Sequence, residues 1–214
     1  IYKDAGIVAM SPSATKVELT KSGDYTNFLR TIAPDDAQAR LQADFCIEEL
    51  KVKTAAVLHD KGAYGKGLAE YAKQYLEEGG IKVVLFEGIT PGAVDYSAVI
   101  SKVNRSGAEV VIWGGYHPEA AKLITGMKRR KMDTVFIGPD GVRDDTFIKV
   151  AGDYAEGVYA TGPIDTTSYP LAIAAIERHR EVYGADPGAF YLNAYAAAVA
   201  LLNAVEKAGS TDYD

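Results

Sequence analysis

The chain has 214 residues, of which 48% are hydrophobic and 24% are charged, so it can bury the core of one large domain or of two small ones. The formal net charge of −6 argues against a nucleic acid as ligand, because affinity for phosphate backbones comes mainly from clustered Lys and Arg. The one basic run, residues 128–131, lies where a helix should end, and we interpret it as a solvated helix terminus.

The chain opens with IYKDAG, which is typical of the last turn of a helix that Gly6 closes. There is no starting Met and no visible signal peptide, so we expect a piece of something longer, and the missing signal peptide says nothing about the compartment. Two strand candidates follow, IVAM and FLRTI. Between them, Ser13 and Thr15 can cap a short helix predicted at Val17 to Leu19. Alternatively, these hydroxyls and the free backbone amides can hold a carboxylate, since both tasks use the same geometry.

From Asp35 to about Thr161, a β-then-α unit repeats with a period of about 27 residues. The predicted strands start close to Thr54, Lys82, Glu109 and Thr134. They are nearly continuous apolar runs, as expected for parallel strands that helices cover on both faces. The repeat therefore predicts a parallel sheet with right-handed crossovers and a core of its own.

The flanks differ from this repeat. Residues 1–33 contain only the two strand candidates, and the last part of the chain forms two helices with too little sheet to cover. We therefore predict an α/β fold of two doubly wound parallel-sheet lobes joined by a hinge. Residues 34–161 would form the C-terminal lobe, and residues 1–33 with 162–214 a partial, discontinuous N-terminal lobe.

Two apolar features are interpreted as core. Cys46 lies on a stripe with Ala43, Ile47 and Leu50, which has the spacing of a buried helix face, and a single cysteine cannot form an internal disulfide. The apolar stretch 190–205 is shorter than the roughly 20 residues of a membrane span. We expect this stretch to be a helix buried between layers.

Three strands of the repeat run straight into a polar or aromatic residue. VLHDKGAY ends at Tyr64, VVIWGGY at Tyr116 and VFIGPD at Asp140. Parallel strands share a direction, so these side chains should emerge at one edge of the sheet, where open α/β sheets bind ligands. Together with Ser13 and Thr15, two rings, one carboxylate and two hydroxyls could converge on one crevice. This set suits a small zwitterion.

Each of these residues also has a simpler explanation. Tyr64 lies in a flexible turn into a helix, and Tyr116 can simply cap the sheet. Gly114 and Gly115, which precede Tyr116, allow either a close backbone approach or a sharp turn. Asp140 lies in Pro-Asp-Gly, a common turn sequence. An exposed aromatic residue at a strand end nevertheless favours ligand stacking, and its ring face can contact a cation.

Support for catalysis is weak. GAYGKG opens a helix, but its glycines do not match G-x-G-x-x-G and it lacks the P-loop lysine. The chain contains no G-x-S-x-G, and His59, His117 and His179 do not have metal-ligand spacing. We therefore predict no enzyme activity, no metal and no cofactor.

A series of segments carries a resemblance to a known family: SPSAT followed by ELT, FLRTIAPDDAQ, VLHDKGAYGKGLA, EGITPGAVDYSAVI, WGGYHPEAAKLI, IGPDGV, AGDYAEGVYAT and DPGAFYLNAYAAA. In their order and spacing, the chain resembles the periplasmic binding proteins for branched-chain and related amino acids, the type I group that supplies ABC importers. The resemblance covers essentially all 214 residues. It implies the type I periplasmic-binding-protein fold, in which a two-lobed receptor closes on an amino acid.

The resemblance also implies where the carboxylate of the ligand binds. Ser13, Ala14 and Thr15 match the family segment that holds the α-carboxylate. The family's first strands and helices precede Ile1 and include a loop with further carboxylate contacts, and the family's final segment follows the end of this chain. We therefore expect the binding site of this chain to be incomplete.

By the same resemblance, Tyr64 and Tyr116 match the pocket tyrosines. Asp140 matches the acid that pairs with the α-ammonium, and Phe190 matches an aromatic residue that lines the side-chain end of the pocket. The leucine-type receptors of the family often have Glu at the position of Asp140. The shorter side chain leaves more room or lengthens the ammonium contact, so the preferred ligand stays open.

We predict a periplasmic or other extracytoplasmic receptor that binds a free amino acid, branched-chain or small aliphatic, and delivers it to an ABC permease. Two alternatives stay open. A sensory receptor or regulator can use the same lobes, and a chain that continues into a transmembrane or DNA-binding segment would indicate it. A nucleotide-dependent enzyme would have to bind its nucleotide at residues 62–67, where the glycine pattern counts against it.

Overall fold

The computed structural model describes residues 2–211 of the chain. Within that range the elements are, in order, β1 Ala9–Ser11, α1 Glu18–Lys21, β2 Phe28–Arg30, α2 Asp35–Glu48, β3 Thr54–His59, α3 Ala63–Glu78, β4 Lys82–Gly88, α4 Ser97–Ser106, β5 Val110–Gly114, α5 His117–Arg129, β6 Val135–Gly138, α6 Asp145–Ala151, β7 Val158–Ala160, α7 Pro170–Tyr183 and α8 Tyr191–Ala208. Short 3₁₀ turns span Asp140–Val142 and Gly152–Ala155.

The chain divides into two compact units, which we call the central unit, Asp35–Gly162, and the terminal unit, Ile1–Pro34 with Pro163–Asp214. The assignment of residues 34–161, and of 1–33 with 162–214, to the two lobes of a receptor stays a prediction. Residues 1 and 212–214 of the predicted N-terminal lobe lie outside the described residues.

The central unit, all of which is described, is built on five parallel strands in the order β4-β3-β5-β6-β7. β3 lies between β4 and β5, with Ala55 opposite Val110 in the register of the inner pair. All of β5 and most of β3 are buried, because helices cover both faces of the sheet. The predicted parallel sheet is confirmed, and each of the four predicted strand starts agrees with the structure to within one residue.

The sheet separates two hydrophobic layers. Alternate residues of a strand point to opposite faces, so Val57 packs with α2 and α3, and its neighbour Leu58 packs with α4 and α5. Cys46 lies in the first layer and is fully buried, as predicted. Burial raises the pKa of its thiol to about 12, which keeps it protonated and makes it an ordinary apolar part of the core.

Helix α3 and strand β5 approach each other at a pair of glycines. A Cβ atom at Gly65 would overlap the carbonyl oxygen of Gly114, and a Cβ atom at Gly114 would overlap that of Gly65. The next residue, Gly115, has φ of 155°, and a Cβ there would overlap the ring of Trp113. The sequence allows two roles for these glycines, a close approach of other atoms and a sharp turn of the backbone. Gly114 has the first role, and Gly115 has both.

The terminal unit contains a small parallel sheet in which β1 pairs with β2, with Ala9 opposite Phe28. α8 packs on β1 and on α7. The expectation that stretch 190–205 is buried between layers is wrong for this chain: α8 buries Ala197, while Leu202 is 69% exposed. The physical reason is that β1 and α7 cover only part of the helix surface and leave the rest to solvent. Within the described residues, no helix is long and apolar enough to cross a membrane.

The glycine pair gives a test of the packing between α3 and β5. We expect Gly65→Ala to destabilise the chain by about 1–3 kcal/mol, because the added methyl group meets backbone atoms that cannot rotate away. Gly67→Ala, two residues further along α3, is the matched control, since nothing lies within 4 Å of the position that its methyl group would take. This change should be neutral or stabilise by up to about 1 kcal/mol through helix propensity. Urea unfolding of both variants measures the difference, and equal effects would contradict the packing argument.

Candidate ligand-binding site

The carboxyl edge of the central sheet brings Tyr64, Tyr116 and Asp140 together. Tyr64 lies in the first turn of α3, Tyr116 immediately precedes α5, and Asp140 begins the 3₁₀ turn after β6. The rings of the two tyrosines are 5.2 Å apart between centroids, and the Tyr64 hydroxyl donates a hydrogen bond to Asp140 Oδ1. The spatial neighbourhood that the parallel strands predict is therefore present in the structure.

Asp140 is a buried carboxylate, 5% exposed, in a turn. The turn is closed by hydrogen bonds from Val142 N to Pro139 O and from Arg143 N to Asp140 O. The backbone of Asp140 thus forms the turn that the simpler explanation predicts. That explanation does not account for the burial and hydrogen bonds of its side chain. Both described side-chain bonds to the carboxylate end on Oδ1, from the Tyr64 hydroxyl and from Gln38 Nε2 at 3.3 Å. The other oxygen, Oδ2, can accept a further donor such as an ammonium group.

The two hydrogen bonds of the Tyr64 hydroxyl determine which group it donates to. It accepts a hydrogen bond from the backbone N–H of Gly141 at 3.3 Å and donates its own proton to Asp140. Burial, reinforced by the negative charge of Asp140, raises the pKa of Tyr64 far above its usual range. The phenol therefore stays protonated at neutral pH and serves as a permanent donor to the carboxylate.

The ring of Tyr116 is partly exposed to solvent. The side chain is 51% exposed, while its carbonyl oxygen accepts a hydrogen bond from Trp113 Nε1 at 3.2 Å. This bond anchors the backbone at the point where β5 turns into α5. An exposed ring beside a buried carboxylate can contact a ligand cation through its face.

The loop between β3 and α3 is held by two side chains, from the last residue of β3 and from the first residue of the loop. Asp60 Oδ1 accepts a hydrogen bond from Gly62 N at 2.8 Å, and His59 Nδ1 accepts one from Lys61 N at 3.0 Å. Lys61 has φ of 66°, a conformation that such local bonds help to maintain. The loop thereby determines where α3 begins and so where Tyr64, in its first turn, is placed.

Gln38 is the contact of Asp140 that the sequence reasoning did not identify. It lies on α2, 102 residues before Asp140 in the chain. A signal was available in the sequence, because Gln38 and Gln42 are polar residues spaced one helical turn apart on the face that also carries Ala39, Ala43 and Cys46. Glutamines on a buried helix face require hydrogen-bond partners in the core.

The segment Ser13, Ala14 and Thr15 lies in the terminal unit. The backbone N–H groups of Ser13 and Ala14 donate to Ser11 Oγ at 3.3 and 3.0 Å, and Thr15 is buried. Within the described residues, no side chain caps the start of α1, so the capping role considered for Ser13 and Thr15 is not present. The amides of this segment are instead arranged around an oxygen acceptor.

Phe190 lies at the start of α8 and is half-buried. Its carbonyl oxygen accepts the N–H of Ala194. Nearby, Asn193 exchanges hydrogen bonds with Thr31: Thr31 Oγ1 donates to Asn193 O at 2.8 Å, and Asn193 Nδ2 donates to Thr31 O. These bonds connect the beginning of α8 to the chain that follows β2.

The model of the family described as periplasmic binding protein matches residues 1–214 of the chain. The chain belongs to this family. It is 40% identical, over 212 residues, to the leucine-, isoleucine-, valine-, threonine- and alanine-binding protein of Pseudomonas aeruginosa, and the match covers 99% of this chain and 57% of that protein. The Leu/Ile/Val-binding protein homolog 3 of Brucella melitensis is 37% identical with the same coverage. This periplasmic binding protein therefore spans somewhat more than half the length of these curated relatives.

Solved structures agree with this assignment. The leucine-binding protein LivK of Thermotoga maritima superposes with a TM-score of 0.91 at 25% identity, covering 99% of this chain and 61% of that one. The substrate-binding protein LivJ of Streptococcus pneumoniae, solved with isoleucine, gives a TM-score of 0.86 at 25% identity, covering 99% and 60%. The predicted type I fold and the family resemblance are both confirmed, with this chain as a partial form of the fold.

His59 gives a test of the loop that positions Tyr64. Burial lowers the pKa of His59 below 6.5, against a smaller opposing effect of Asp60. Because the folded protein disfavours the charged ring, the contribution of the neutral ring to stability is complete above about pH 6.5 and is lost as the pH falls through the folded pKa. His59→Asn keeps an acceptor for Lys61 N but does not titrate. We expect the variant to lose less stability than the wild type between pH 7.5 and 5 in urea unfolding, and equal losses would contradict the argument.

Proposed function

We propose that this chain is part of an extracytoplasmic receptor that binds a free amino acid with a branched or small aliphatic side chain. The observation that carries the proposal is the buried carboxylate of Asp140 beside Tyr64 and Tyr116 at the carboxyl edge of a parallel sheet. Ligands of open α/β sheets bind at this edge. The names of the similar proteins, which describe binding of leucine, isoleucine and valine, support the choice of ligand class.

The α-ammonium of the ligand is assigned to Asp140. One carboxylate oxygen is occupied by Tyr64 and Gln38, so the ammonium would donate to Oδ2. The Tyr116 ring would contact the same cation through its face. Exclusion of water from the buried carboxylate strengthens this charge pair, because the attraction between charges grows as the local dielectric constant falls.

The α-carboxylate of the ligand is assigned to Ser13, Ala14 and Thr15. The support from geometry is that the amides of Ser13 and Ala14 already converge on one oxygen, Ser11 Oγ. A carboxylate oxygen is a stronger acceptor than a hydroxyl, so a ligand could take over these donors. Phe190 is assigned to the apolar end of the ligand. The partner would be the permease of an ABC importer, and the receptor itself would catalyse no reaction.

A thermal melt of the full-length protein tests the ligand class. Each of the twenty L-amino acids, γ-aminobutyrate, NAD and ATP would be added at millimolar concentration. A ligand present at 100 times its dissociation constant adds about 2.7 kcal/mol, which raises the midpoint by a few degrees. We expect a selective rise with aliphatic amino acids. A rise with nucleotides alone, or no rise with any amino acid, would contradict the proposal.

Removal of the proposed ammonium partner gives a second test. Asp140→Ala in the full-length protein should weaken binding of L-leucine at least tenfold, because an unpaired buried cation costs about 2–5 kcal/mol. Asp145→Ala is the control, since Asp145 is an exposed acid in the first turn of α6. Isothermal titration calorimetry measures both dissociation constants. Unchanged affinity in Asp140→Ala would rule out the assigned role.

A further inference from the structure

Helix α2 carries two buried glutamines, Gln38 and Gln42, that are 8% and 1% exposed. They lie one turn apart, on the helix face that packs on the sheet. The groups that form hydrogen bonds with these two side chains lie at the carboxyl ends of β6 and β7. Gln42 Nε2 donates to Gly138 O and to Thr161 Oγ1, both at 3.3 Å.

Gln38 makes three hydrogen bonds, and two of them are to Asp140. Gln38 Oε1 accepts the backbone N–H of Asp140 at 2.7 Å, and Gln38 Nε2 donates to Asp140 Oδ1 at 3.3 Å. The third bond comes from Thr161 Oγ1, which donates to Gln38 Oε1 at 2.6 Å. The backbone amide can only donate and the carboxylate can only accept, so the chemistry of Asp140 determines which end of the Gln38 amide faces which group.

We propose that Gln38 is the positioning residue for the carboxylate of Asp140. It holds the residue at two points, the backbone nitrogen and one side-chain oxygen, and thereby fixes both the turn and the rotation of the carboxyl group. The bond from Thr161 holds the Gln38 amide against the end of β7. Tyr64 shares Oδ1 with Gln38, and Oδ2 is left for the ligand. This inference rests on the proposed function, in which Oδ2 accepts the α-ammonium.

Loss of Gln38 should displace Asp140 because a buried hydrogen-bond donor without an acceptor costs free energy. Without Gln38, the backbone N–H of Asp140 would be buried with no acceptor, and the turn would have to move until the N–H reached water. A turn that moves takes the carboxylate with it. The strength of an ion pair depends on distance and direction. Displacement of the carboxylate would therefore weaken ligand affinity, even though Gln38 does not contact the ligand.

Gln42 provides a matched control for this argument. It shares the helix, the burial and the neighbour Thr161, but its described bonds go to Gly138 O and Thr161 Oγ1 and not to Asp140. Gln38→Met and Gln42→Met each remove a buried amide and keep an unbranched side chain of similar length. Gln38→Met should lose more stability than Gln42→Met, because it also leaves the N–H of Asp140 without its acceptor. Only Gln38→Met should affect the carboxylate.

The test measures L-leucine affinity by calorimetry in the full-length protein. We expect Gln38→Met to weaken binding about tenfold, the loss typical of a hydrogen bond to a charged group, and Gln42→Met to change it less than about threefold. In an Asp140→Ala background, Gln38→Met should cause no further loss, because Gln38 acts through Asp140. Equal losses in the two glutamine variants, unchanged affinity in Gln38→Met, or additive losses with Asp140→Ala would overturn the inference.

A readout without ligand separates this inference from the proposed function. Hydrogen exchange of the Asp140 backbone amide, followed by NMR, should be at least about tenfold faster in Gln38→Met than in wild type, and unchanged in Gln42→Met. If the wild type binds no amino acid, the proposed function fails, and the exchange rate still tests the Gln38 contact. Unaltered exchange in Gln38→Met would overturn the positioning role.

Discussion

A carboxylate that is removed from water has to be hydrogen-bonded, and this requirement at Asp140 connects most features of the central unit. Its donors come from Gln38 on α2 and Tyr64 on α3, while its own position follows from the end of β6. Three separate elements therefore have to be placed correctly before the carboxylate can be buried. One oxygen is satisfied by the protein, and the other is available for a cation. In the proposed function, this division lets the carboxylate bind the ligand while it also holds Gln38 and Tyr64 in place.

The position of the Tyr64 donor depends on backbone packing. The glycine pair Gly65 and Gly114 lets α3 approach β5 at the edge of the sheet, immediately beside Tyr64. The preceding loop is held by Asp60 and His59 through bonds to its own amides. Within GAYGKG, Gly65 is thus required for packing, while Gly67 has no close neighbour. The same packing places a tyrosine ring and hydroxyl where a ligand of the sheet edge would lie.

The terminal unit buries less of its apolar surface than the central unit does. Its sheet has two short strands, and α8 leaves large apolar side chains such as Leu202 exposed. Its carboxylate-binding candidates are organised locally, with Ser11 Oγ accepting the amides of Ser13 and Ala14. Since this chain spans 57% of the length of this curated relative, the tests of the proposed function use the full-length protein.

The β-then-α repeat, the strand positions and the three residues at the strand ends could be predicted from the sequence, because apolar runs are local properties of a chain. Parallel strands share an edge, so the neighbourhood of Tyr64, Tyr116 and Asp140 followed without coordinates. The contact of Gln38 with Asp140, the exposure of α8 and the use of Ser11 as an acceptor became visible only in the folded chain. The Gln38 contact joins residues 102 positions apart, and the exposure of a helix depends on which layers reach it. Neither property is contained in spacing or composition.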